Sequence, residues 1–177
     1  ISVTNLFYNV PARRKFLKSD NVEIKHIISE FNRQSLCHPE VFFTLKHNGK
    51  DMFMLNKSNL KERILRLFTK NIDKKLVPVD EITDLASISG YVFKPEFLNK
   101  SRSMQFFFVN GRFIRNSYLN HSVFTAYEGL VNVENKPSYI LFIRIPPDSL
   151  DVNVHPNKIE VKFENENSLY AILRSAV

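Results

Sequence analysis

The sequence predicts an α/β sandwich, one mixed sheet with helices on one face. Three observations predict it. Short runs of β-type residues intermix with stretches of helical periodicity along the whole chain. Two Asn-Gly pairs, at 48–49 and 110–111, separate such runs and mark hairpins. The run at 105–109, Gln-Phe-Phe-Phe-Val, is apolar almost throughout, as a central strand is. A chain of 177 residues, 44% of them hydrophobic, fits a single domain spanning 1–177 that buries roughly 70% of its unfolded surface.

The elements follow in order. Residues 1–6 alternate as a short strand. Pro11 suits a first helical turn, and 12–17 form a short helix with Phe16 and Leu17 turned to the core. Asp20 and Glu23 resemble a capping box, and Val22, Ile24, Ile27, Ile28 and Phe31 recur at helical spacing up to about Leu36, before Pro39. Residues 41–46 and 51–55 flank the first Asn-Gly turn. Asn59 caps a helix whose inner face carries Leu60, Ile64, Leu65 and Phe68. Strands follow at 76–79 and 86–93, then a polar loop at 94–104. After the strand at 105–109 the second Asn-Gly leads into 112–114. Asn116 caps a helix bearing Leu119, Val123, Phe124, Tyr127 and Leu130. Residues 139–145 and 159–163 are strands, and 169–173 lie on a terminal helix.

Composition removes several classes. A lone Cys37 forms no internal disulfide and no zinc knuckle, and its apolar context reads as core. No apolar run approaches the ~20 residues of a membrane-spanning helix, and no signal peptide is evident. The chain starts at Ile1, inside an alternating pattern, so it reads as a piece of a longer protein. Only four glycines are present, with no Gly-rich phosphate loop.

The net charge of +7 divides into three clusters. Arg13, Arg14, Lys15 and Lys18 form the first. Lys61, Arg63, Arg66, Lys70, Lys74 and Lys75 form the second. Lys100, Arg102, Arg112 and Arg115 form the third. Each is either a solvated face or part of a surface for a polyanion such as a phosphate backbone. No homeodomain, zinc-finger or RNA-recognition signature supports base-specific readout. Asp151, Asn153 and His155 share one strand face, but no ligand cluster backs a metal there, so no metal site is expected.

Three stretches carry the chemistry: NLFYNVPARRKFLK at 5–18, FVNGRFIR at 108–115 and DVNVHPNKIEVKF at 151–163. In this order and spacing the chain resembles the MutL family of DNA mismatch-repair proteins over its whole length. The resemblance implies the second, transducer domain of an N-terminal ATPase half, with the fold of the second domain of gyrase B and a left-handed βαβ crossover. It implies a GHKL-type ATPase domain upstream and a dimerisation domain at the C-terminal side, both outside this chain. Lys158, after His155 and Pro156, then corresponds to a lysine that reaches the ATP γ-phosphate and completes the neighbouring domain's site. His155 and Pro156 shape that loop. ATP and magnesium are implied for the intact protein, and none is expected bound to this chain alone. Arg112 and Arg115, with Lys100 and Arg102, correspond to a DNA-binding edge. Arg13, Arg14 and Lys15 border the ATPase domain. The implied partners are DNA without sequence preference, a MutS-type mismatch recognition protein, a downstream helicase or nuclease, and a second copy of the intact protein. The implied compartment is the cytoplasm of a bacterium, or the nucleus if the source is eukaryotic. The alternative is a stand-alone nucleic-acid-binding α/β module with no ATPase linkage.

Overall fold

A computed structural model describes residues 2–68, 72–98, 104–131, 135–151 and 159–177. Its elements in order are α1 (Pro11–Arg14), α2 (Asp20–Cys37), β1 (Phe43–His47), β2 (Lys50–Leu55), α3 (Leu60–Leu67), β3 (Leu76–Ile82), β4 (Ser87–Phe93), β5 (Gln105–Val109), β6 (Arg112–Ile114), α4 (Ser117–Ala126), β7 (Tyr139–Arg144), β8 (Leu150–Asp151), β9 (Lys162–Phe163) and α5 (Glu166–Ala176).

The main sheet is mixed, as expected, with strand order β3-β4-β7-β5-β6. Strands β3/β4, β4/β7 and β5/β6 pair antiparallel, and β5 lies parallel to β7. That parallel pair needs a crossover, which runs through β6 and α4. β1 and β2 form a separate hairpin, as do β8 and β9.

Register and side-chain contacts correct the placement of the helices. The registers put Phe106, Phe108, Phe113 and Phe142 on one face, where the Arg33 guanidinium of α2 lies 4.2 Å from the Phe113 ring centre. Phe68, at the end of α3, approaches the Phe106 ring there at 6.2 Å. Phe107, Tyr139 and Leu141 point to the other face. There the Tyr139 hydroxyl donates to Asn120 of α4 (2.8 Å), and α5 runs beside α4 with Tyr170 4.6 Å from Tyr118. Helices therefore cover both faces. The reason is in the strands: β5 and β7 are apolar on alternate and intervening positions alike, so either face left bare would expose large side chains to water.

The core centres on these strands, with Tyr139, Ile140, Leu141 and Ile143 essentially inaccessible. Burial raises the Tyr139 phenol well above its usual range. It pushes Tyr127, whose hydroxyl donates to the Phe93 carbonyl, up to about 12. At Gly90, mid-β4, φ is +135°, and a Cβ would run into the Ile140 carbonyl of β7. Only glycine lets these two strands approach so closely.

Local expectations met mixed outcomes. Asn59 accepts from the Glu62 amide (2.9 Å) and Asn116 from the Leu119 amide (2.8 Å), so both caps stand. At the start of α2 the cap position is Ser19, and the Glu23 carboxylate instead accepts from the Lys18 amide. Residues 2–6 are not a strand: among the described residues no neighbouring strand offers them a ladder. Phe16 and Leu17 are exposed rather than core, since nothing described packs over them. Cys37 is half-buried against the core, and its thiol donates to the Gly111 carbonyl (2.9 Å). Burial, with Glu40 beside it, raises the thiol's pKa, which disfavours the reactive thiolate. Among the described residues no helix is long and apolar enough to cross a membrane.

Candidate nucleic-acid interface

The second of the three motifs, at 108–115, folds into the β5–β6 hairpin. Asn110 and Gly111 take φ of +48° and +77°, the double left-handed turn that an Asn-Gly pair favours. Asn110 does more than turn the chain. Its side-chain amide donates to the Ile145 carbonyl (3.0 Å) and accepts from the Ile145 amide (3.1 Å), fixing the hairpin tip to the end of β7.

This anchored tip presents the arginines. Arg112 opens β6 opposite Val109, and Arg115 follows its end; both side chains are exposed. Among the described residues neither forms an ion pair. The Arg115 amide donates to the Ile159 carbonyl (2.8 Å), so the edge of β6 is closed by the chain that returns after residues 152–158. Lys158, His155 and Pro156 fall in that interval, outside the described residues, as do Lys100 and Arg102. Arg13 and Arg14 lie on α1 and Lys15 just after it, all exposed.

The sequence reading missed Arg33. It lies on α2, far along the chain from the turn that it faces, and its guanidinium covers the Phe113 ring. Two grooves meet here. One, of about 510 Å³, runs past Arg33, Arg115 and the start of α4 at Asn116 and Ser117. The other, of about 440 Å³, runs past Arg33, Arg112 and Ile159. Arg33 pairs with Glu30 (2.9 Å), which Gln34 also holds, so that cation is locally neutralised and Arg112 and Arg115 carry the edge's excess charge. No periodicity or spacing links position 33 to 113; only the packing of α2 on the sheet does.

Half of the second basic cluster is taken up by structure, while Arg66 and Lys74 stay exposed. Lys61 pairs with Asp73 (2.6 Å). Lys75 covers the Phe97 ring at 5.0 Å. Arg63 is fully buried. Lys70 lies outside the described residues.

Fold and edge together define a class: a mixed α/β sandwich whose hairpin edge presents exposed arginines over a seam with a helix. Comparisons with known proteins then supply the family. The family described as "DNA mismatch repair protein, C-terminal domain" matches residues 64–177. The DNA mismatch repair protein MutL of Christiangramia forsetii is 54% identical over 177 residues, all of this chain and 29% of that protein. Its counterpart in Flavobacterium psychrophilum is 53% identical over 174 residues, 98% of this chain and 28% of that protein. Among solved structures, the N-terminal domain of a DNA repair protein superposes with a TM-score of 0.77 at 22% identity, over 96% of this chain and 56% of that one. The Aquifex aeolicus MutL ATPase domain complexed with ADP gives 0.64 at 23%, over 97% and 55%. These two likenesses establish shared fold. The chain belongs to the MutL family of DNA mismatch repair proteins, and it spans less than a third of the curated relatives' length.

Proposed function

We propose that the chain works in DNA mismatch repair as the transducer of an ATPase. In this reading Lys158 reaches the γ-phosphate of an ATP held by a GHKL-type domain of the same protein. Its ammonium offsets charge developing on the transferred phosphoryl group and registers whether that phosphate is present. Magnesium belongs to the nucleotide and to that other domain. Arg13, Arg14 and Lys15 face the same neighbour. Arg112 and Arg115, joined by Lys100 and Arg102, hold DNA through its phosphates, without reading sequence. Repositioning on ATP binding then favours pairing of two copies of the intact protein and engagement of a MutS-type protein and a downstream helicase or nuclease.

One observation carries most of this reading: the 2.8 Å bond from the Arg115 amide to the Ile159 carbonyl. It supports a linkage between nucleotide and DNA, because it ties the basic edge to the residue that follows Lys158. The exposed segment at 2–19, with no buried residue, supports an interdomain role for the first cluster.

The test is steady-state ATP turnover by the protein in its full native length. Lys158→Ala should lower the rate by at least about tenfold, since removing one pre-placed donor to a developing oxyanion typically costs roughly 10²–10³-fold. Unchanged turnover alongside intact DNA binding would leave the stand-alone nucleic-acid-binding module as the better reading.

A further inference from the structure

Arg63 is the most unusual buried side chain in the described part of the molecule. It sits on α3, is 0% exposed, and no carboxylate is bonded to it among the described residues. One guanidinium nitrogen, Nη2, donates to three backbone carbonyls: Pro39 and Val41 (2.7 Å each) and Asn56 (3.0 Å). Pro39 and Val41 enter the β1–β2 hairpin and Asn56 leaves it, so one side chain grips both ends. The Ser58 amide also donates to the Pro39 carbonyl (3.0 Å), closing the same corner. The Phe43 ring lies 5.6 Å from the guanidinium carbon. Nε and Nη1 are buried without a partner among the described residues.

That arrangement is expensive for mere filling. A buried cation with two unused donors is costly, and apolar replacements of buried charges are often neutral or stabilising. What the guanidinium gives instead is geometry, because its planar fork fixes direction as a methionine or leucine does not. The place that it fixes is a boundary. On one side lies the hairpin, whose Phe43 and Phe53 pack on Phe31 of α2. On the other lies the sandwich, whose core takes in Leu36 of α2 and Ile64 of α3 and whose sheet shares no strand with the hairpin.

We propose that Arg63 is the fastener of a joint between these two bodies, setting the angle at which the hairpin meets the sandwich. Motion of the hairpin is then delivered through Phe31 and α2 to the β5–β6 edge, where Arg33 and Cys37 touch Phe113 and Gly111. The joint stands on its own contacts; its use in nucleotide-driven motion rests on the function proposed above.

Peptide-resolved hydrogen exchange on the protein in its full native length tests it. Arg63→Met should speed exchange across residues 43–55 by about tenfold or more, a local opening, while 88–93 and 139–144 keep their rates. Arg63→Lys, which keeps the charge but shortens the reach, should fall between. Unchanged exchange at 43–55, or an equal rise in both regions, overturns the proposal. In a second arm, a non-hydrolysable ATP analogue should alter exchange at 43–55 and 105–114 in the wild type, and only at 43–55 in Arg63→Met. If the analogue alters neither in the wild type, the ATPase reading fails, and the nucleotide-free comparison still decides the joint.

Discussion

Two stretches of similar apolar character have opposite fates. β5 and its turn, QFFFVNG, contribute Phe107, Phe108 and Val109 to the sealed core. The N-terminal stretch LFYNVPARRKFL has no fully buried residue, and Phe16 is 82% exposed. Backbone strain is handled as differently. Asn110, at φ +48°, is held by two side-chain bonds to Ile145. Phe7, at φ +63°, has only local turn bonds around it among the described residues, such as Tyr8 to Asn5 and Val10 to Phe7. A bulky residue in the left-handed region costs roughly 1–2 kcal/mol, and such strain persists where surroundings over-determine it. Hydrophobicity thus shows that a segment needs a partner; whether the partner lies within the sheet decides which segment is core.

The most direct way to break the contrast is to injure the sheet side. Gly90→Ala places a methyl group against the Ile140 carbonyl and forces an L-residue to φ +135°. The expected loss is at least about 3 kcal/mol, combining overpacking of roughly 1–3 kcal/mol with backbone strain of similar size. For a domain of this length that lowers the thermal midpoint by about 6–12 °C, readable by calorimetry. A fall of under about 2 °C would mean that β4 and β7 can separate cheaply, and that the sheet is less rigid than its burial implies.

Much of this contrast was legible in the sequence, and the rest was hidden for identifiable reasons. The Asn-Gly turns, the Asn59 and Asn116 caps and the interior position of β5, beside the central β7, follow from local chemistry, so the order of the elements was readable. Helices on both faces are implied by apolar residues at nearly every position of β5 and β7, a signal that the expectation of a one-faced sandwich leaves unused. The exposure of Phe16 depends on what lies over it, which no local pattern encodes. At the candidate site the arginines at 112 and 115 were found through their motif. Arg33 was not, since its partnership with Phe113 joins distant positions and exists only once α2 is laid on the sheet. Arg63 was misassigned to a charged surface because a buried arginine bonded to carbonyls has the same letter as an exposed one.

A smaller effect sharpens the contrast at the edge where core becomes interface. Replacing both Arg112 and Arg115 with Ala should leave thermal stability within about 0.5 kcal/mol, because both side chains are exposed. It should reduce the slope of log K against log salt for duplex binding by about 1.8, or about 0.9 for each phosphate that is no longer neutralised. Equal slopes for wild type and variant would move the DNA surface away from β6, and a large stability loss would show that the edge belongs to the core after all.

The smallest expected effect bears on the exposed stretch itself. In residues 1–177 alone, Phe16→Ser should change stability by no more than about 0.5 kcal/mol, since the ring touches nothing that folding of this chain would strip of water. In the protein's full native length the same substitution should cost about 2–3 kcal/mol if another domain covers the ring, the usual value of burying a large apolar side chain. Denaturant unfolding of both forms makes the comparison directly. A loss in both places Phe16 in a core that the described contacts do not contain. No loss in either means that the LFYNVPARRKFL stretch stays open to water, and the interdomain role of Arg13, Arg14 and Lys15 falls with it. Only the split result, silent in the short form and costly in the long one, makes this stretch the buried side of a boundary whose other side is a separate domain.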